Sequence, residues 1–177
     1  MSTTLQQERA APDAARLVVA LIAGTYFLWA MLHPQDWRLI DGVNLVIHET
    51  GHLFFRPFGE FLMIAGGSLF QLIVPATFAF YFHYHKQSYS CALVLLWLGE
   101  SLLNVSVYAG DSVALQLPLL GGNDSIHDWN YMLDHLNWLS YTDGIAKTLR
   151  LAAAAIVVAA TLWAIICASR PQKKSYV

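Results

Sequence analysis

The chain has 177 residues, 56% of them hydrophobic and only 12% charged, with a formal net charge of −2. A soluble domain usually carries about 25% charged residues, so this composition points to lipid rather than water as the main solvent. The small net charge and the absence of a long Lys/Arg stripe exclude nucleic acid as a partner. Both cysteines, Cys91 and Cys167, lie in apolar runs and read as small buried hydrophobes, not as a disulfide framework.

Residues 1–16 form a polar N-terminal tail of mixed charge, followed by an apolar stretch from Leu17 to Leu32. No small-residue cleavage site closes that stretch, so it reads as a retained span rather than a signal peptide. Further apolar segments run from Val43 to Phe55, Phe61 to Phe82, Cys91 to Ala109 and Leu149 to Ser169. A helical span needs ~20 residues. The last three qualify, and the first is short but flanked by Trp29 and Trp37 as interfacial anchors. The second is too short to cross alone. It is either re-entrant or completed by its flanks, 38–42 and 56–59. Backbone polar groups in lipid must be paired internally, so all five segments are expected to be helical.

The expected fold is therefore all-α and polytopic, with four to five transmembrane or re-entrant helices in a single membrane-embedded domain. A re-entrant second segment puts Arg9, Arg16, Lys86, Arg170, Lys173 and Lys174 on one side, which the positive-inside rule makes cytoplasmic together with the N-terminus. The expected location is a membrane of the bacterial inner-membrane type. Residues 110–148 form an extramembrane connection, and 170–177 a basic tail. Within the connection, Trp129, Met132, Leu133 and Leu136 recur at helical spacing, which predicts a short interfacial helix capped by Asp124 or Ser125.

The chemistry lies in the second segment, which reads His48-Glu49-Thr50-Gly51-His52. Histidines four apart project from one helical face and can grip one Zn²⁺, with Glu49 placed to take a proton from water as general base. Gly51 lets another backbone or a substrate approach closely. Ionisable groups at lipid depth are costly and mark function more often than not. Asp41, Asn44, His48 and His52 form a polar stripe whose upstream members can orient the imidazoles, and Glu100, Asn104, Tyr108 and Asp111 form a matching stripe on the fourth segment. Asp111, which ends that stripe, is the first candidate for a third metal ligand. Glu100, deeper in the segment, is another, and Asp124, His127 and Asp128 form a second choice. For Asp124 and Asp128 helix capping is the plainer reading. His33, His83, His85 and His135 fall at helix ends or on the interfacial helix.

The motif and its order resemble the site-2 protease group of intramembrane zinc metallopeptidases. Those proteins carry His-Glu-x-x-His within the membrane, often with Gly before the second His, and an Asp ligand two helices later. The resemblance covers roughly residues 43–112. It implies His48, His52 and Asp111 as zinc ligands and Glu49 as catalytic base; Asn104 is separately a candidate to position the substrate or stabilise an oxyanion. The family's Asn-Pro and Leu-Asp-Gly pattern is replaced here by Asn104-Val105-Ser106-Val107-Tyr108-Ala109-Gly110-Asp111-Ser112. The expected function is cleavage of a transmembrane or juxtamembrane peptide. The alternative is an accessory or assembly subunit of a larger membrane complex with a vestigial or structural metal site. A metal or proton transporter ranks last, because inverted repeats and paired broken helices are not visible.

Overall fold

The computed structural model describes residues 13–120 and 126–170. Among these there are six α-helices and no strand: α1 (Ala14–Leu32), α2 (Leu39–Phe55), α3 (Glu60–Tyr84), α4 (Ser88–Gly110), α5 (Asp128–His135) and α6 (Thr142–Ser169). The protein is all-α and polytopic. Four helices, α1, α3, α4 and α6 with the turn before it, are long and apolar enough to cross a membrane. Their outer faces carry exposed Leu21, Ile22, Phe80 and Leu162, as expected of surfaces solvated by lipid tails.

The four long helices alternate in direction. At one end Ala20, Ala92 and Ala164 pack together, and Cys91 Sγ donates to the Ala79 carbonyl at 3.3 Å. Towards the other end Ala30, Leu103 and Ala153 form the equivalent contact. Alanine at these crossings lets helices approach closely where lipid supplies no hydrophobic drive. α1 finishes, α3 begins, α4 finishes and α6 begins at this second end. Because α2 lies between the end of α1 and the start of α3, it enters and leaves at the same end. It is not among the four helices long and apolar enough to cross a membrane.

α2 starts four residues earlier than its apolar run, where the Asp41 side chain caps it at Arg38. The Asp41 carboxylate accepts from the Arg38 backbone N–H at 2.6 Å, satisfying a donor that the first turn leaves orphaned. α2 then packs antiparallel on α3 through glycine. A Cβ on Gly51 would overlap the Gly66 carbonyl oxygen, and one on Gly67 would lie 2.5 Å from His48 Nε2. The glycine inside the His-Glu-x-x-His pattern thus serves a backbone-to-backbone contact.

α5 begins later than the expected cap. Its N-cap is His127, whose ring nitrogen accepts from the Asn130 N–H at 3.2 Å. Ser125 and Asp124 lie outside the described residues. The helix is also docked against α3. Met132 is buried against Ile64 and Ala65 of α3, and Trp129 Nε1 donates to Ser68 Oγ at 3.0 Å. That docking carries the residue before Trp129 to the face of α2.

Candidate metal centre

His48 and His52, one turn apart on α2, turn the same ring nitrogen towards one point. His48 Nε2 stands 2.9 Å from Asp128 Oδ2, and His52 Nε2 stands 3.3 Å from that same oxygen. The opposite nitrogens are tied back: His52 Nδ1 lies 2.9 Å from the Met63 carbonyl oxygen, and His48 Nδ1 lies 3.3 Å from Gln71 Oε1. Glu49 is exposed on the same helix, and His48, Glu49 and His52 each offer a ligand atom within 4.8 Å of the others. These three residues form a group that could hold a metal ion.

The hydrogen-bond chemistry of the pair is informative. A neutral imidazole has one N–H and one lone pair. His52 has acceptors at both nitrogens, a backbone carbonyl at one and a carboxylate at the other. A second proton or a cation at Nε2 removes the conflict. The hydrogen bond to Asp128 accordingly pushes His52 up to about 9, against the effect of burial and aided by the Met63 carbonyl. For Asp128, burial works against the charged form, but the hydrogen bonds from His48 and His52 prevail and hold the carboxyl below its ordinary range. Two imidazole nitrogens and a carboxylate oxygen, converging and backed by acceptors, suit a tetrahedral site with an open position.

The site lines a cavity of about 470 Å³. Its polar floor is Asp41, Gln71, Asn104 and Tyr108, and its apolar walls include Leu45, Val107, Leu117 and Pro118. Tyr108 packs its ring 5.7 Å from His48, and its hydroxyl oxygen accepts from the Asp128 backbone N–H at 3.1 Å.

The carboxylate brought to the histidines is Asp128, not Asp111. Asp111 caps α4, where its oxygens accept from the backbone N–H groups of Gln116 and Leu117 at 2.9 Å each. It also lies 3.3 Å from His127 Nε2, and His127 stacks 4.4 Å from Tyr108. Asp111 and His127 therefore fasten the connection to the end of α4, and that fastening helps to aim the next residue, Asp128. Glu100 is fully buried and does not face the histidines. It accepts from Asn44 Nδ2 at 2.7 Å and lies 3.6 Å from the Arg38 guanidinium. Asn104 uses both ends of its amide within the protein, donating to Asp41 at 3.2 Å and accepting from Gln71 at 2.9 Å. Asp124 lies outside the described residues.

Gln71 and Arg38 were not singled out from the sequence. Gln71 sits in the apolar run Leu69-Phe70-Gln71-Leu72, where an isolated amide at lipid depth is itself a signal. Arg38 reads as a flanking charge, yet it is 6% exposed. No family model matches the chain, and no curated protein or solved structure matches it either.

Proposed function

We propose that the protein is a membrane-embedded zinc metallopeptidase that cleaves an amide in a transmembrane or juxtamembrane peptide. The observation that carries this reading is the meeting of His48 Nε2, His52 Nε2 and Asp128 Oδ2 beside the exposed carboxylate of Glu49. His48, His52 and Asp128 would hold the ion. Zinc bound there would polarise a carbonyl and make water acidic enough to act near neutral pH. Glu49 takes the proton from the attacking water and passes it to the leaving amine. Among the described residues Glu49 makes no hydrogen bond or ion pair, which keeps its carboxylate available for that transfer.

The remaining residues bind and orient. The apolar walls around Leu45, Val107 and Leu117 accept an extended apolar segment and exclude bulk water. A purely structural site needs no free carboxylate beside its first ligand, which favours hydrolysis over the accessory-subunit reading. Tyr108 is better placed than Asn104 to stabilise a developing oxyanion. Its oxygen is occupied by the Asp128 N–H, leaving the hydroxyl proton to be donated, whereas both ends of the Asn104 amide are already engaged within the protein.

The test is zinc content of purified protein, followed by digestion of transmembrane peptides in detergent. About one zinc per chain is expected in wild type and Glu49→Gln, and none in His48→Ala or Asp128→Asn, with cleavage confined to wild type. A folded wild type without zinc would sink the reading. Zinc retained without any cleavage would favour the accessory subunit.

A further inference from the structure

A chain of hydrogen bonds runs inward from His48 for three side chains and ends on a buried ion pair. His48 Nδ1 meets Gln71 Oε1 at 3.3 Å, and Gln71 Nε2 donates to Asn104 Oδ1 at 2.9 Å. Asn104 Nδ2 donates to Asp41 Oδ1 at 3.2 Å. The other Asp41 oxygen takes the Arg38 backbone N–H at 2.6 Å and faces the Arg38 guanidinium Nε at 3.4 Å. Arg38 also donates to the His33 carbonyl at 3.0 Å, which fixes it from outside the pair. Asp41 and Gln71 are each 2% exposed, and Asn104 between them is half-buried on the floor of the cavity.

Such a chain has a direction, and its buried end dictates it. An arginine and a backbone N–H can only donate, and an ionised carboxylate can only accept. Asn104 must therefore show Asp41 its NH₂ group and show Gln71 its oxygen. Gln71 must then show Asn104 its NH₂ group and His48 its oxygen. At the last step His48 has to donate from Nδ1, which leaves Nε2, 2.9 Å from Asp128 Oδ2, as the nitrogen to face a metal. Each amide has one donor face and one acceptor face, so none can be reversed alone without setting like against like.

We infer that Asp41, acting through Asn104 and Gln71, is a positioning residue that fixes Nδ1 of His48 as a hydrogen-bond donor and leaves Nε2 to face the metal. The consequence for metal binding rests on the zinc-site reading above; the polarity of the chain does not. Asp41 touches neither histidine, and it acts only through the order of donors and acceptors.

Asp41→Asn tests this, because it changes polarity but not shape. Arg38 would still hold an oxygen at its side of residue 41, so the new NH₂ group would face Asn104. Asn104 and Gln71 would then turn over, and Gln71 would offer NH₂ to His48 Nδ1. The substitution does not touch the other contact of the guanidinium, which lies 3.6 Å from Glu100 Oε1. Adding Gln71→Glu should repair it. The carboxylate at 71 accepts from the reversed Asn104 on one side and from His48 Nδ1–H on the other.

The measurement is the ¹⁵N resonance of His48 Nδ1 in metal-free protein in detergent, assigned by its loss in His48→Ala, alongside zinc affinity. Nδ1 should be protonated in wild type, bare in Asp41→Asn, and protonated again in the double variant. Zinc affinity should fall about 10- to 100-fold in Asp41→Asn and return to within about threefold of wild type in the double variant. An Nδ1 that stays protonated in Asp41→Asn, or stays bare in the double variant, overturns the inference. If wild type binds no zinc, the metal-centre reading falls, and the Nδ1 resonance alone decides the polarity of the chain.

Discussion

Gly51 and Gly66 meet backbone to backbone where α2 crosses α3, with no room for a side chain on Gly51. His48 lies about one turn before Gly51 and His52 directly after it, so the spacing of the two helices sets how far the imidazoles reach. Gly51→Ala should force α2 outward and destabilise the protein by about 1–3 kcal/mol, the usual cost of overpacking. Thermal unfolding in detergent measures the loss, and zinc content should fall with it. A variant as stable as wild type would show that the crossing is looser than the backbone contact indicates.

Asp128 and Asp111 should separate cleanly on substitution. Asp128→Asn keeps the size of the side chain but removes the charge between the histidines, and zinc affinity should drop at least about 100-fold. Asp111→Asn should retain most of the affinity and instead loosen the connection that Asp111 holds through Gln116 and Leu117. Isothermal titration with zinc gives the first result and limited proteolysis near residue 116 gives the second. Equal loss of zinc in both would return Asp111 to the ligand set.

The acid–base state of the pair predicts how zinc binding responds to pH. His52, on a helix outside the four spans, is raised to about 9 by its hydrogen bond to Asp128. Below that pH a proton must leave before the ring can bind metal, so apparent affinity should rise about tenfold per pH unit between 6 and 8. The metal-free fold behaves in the opposite sense. A raised histidine stabilises it fully below the ordinary pKa of about 6.5 and loses that contribution as pH rises through about 9. Denaturant titrations of metal-free protein at pH 7 and 10 should show the decrease, and His52→Asn should flatten it.

Tyr108→Phe removes one hydroxyl and leaves the ring against His48 and His127. If Tyr108 donates to the oxyanion, kcat should fall about 10²- to 10³-fold with KM little changed and zinc retained. A change in KM alone would assign Tyr108 to positioning Asp128 through the backbone bond.

The spans were legible because apolar runs of sufficient length leave helices as the one way to pair every backbone group. Charge placement could only lean towards a re-entrant α2; its entry and exit at one end emerge from packing of α3 against α4. The histidine pair and Glu49 were legible from spacing within one helix. The third carboxylate was not, because its position depends on the path of the chain between Asp111 and Asp128. On sequence grounds Asp128 reads as a first-turn acid that complements the helix dipole, and Asp111 as the end of a polar stripe. Both readings are locally sound, since Asp128 does open α5 and Asp111 does close α4. What separates them is the docking of Trp129 and Met132 on α3, a contact between elements 61 or more residues apart. Gln71 escaped for a related reason: its role appears only when Asn104 and His48 lie on either side of it.

The burial of Arg38 between Asp41 and Glu100 also bears on how the chain is built into a membrane. Arg38 and Asp41 emerge from the ribosome with the start of α2, whereas Glu100 follows about sixty residues later on α4. Until α4 arrives, α2 carries its ion pair and polar stripe without the neighbours that later enclose them, and lipid is a poor host for such a helix. α2 therefore gains the second partner of its buried arginine only when α4 is in place. Because Asp128 follows later still, at the start of α5, the candidate metal site is complete only once that helix has docked as well.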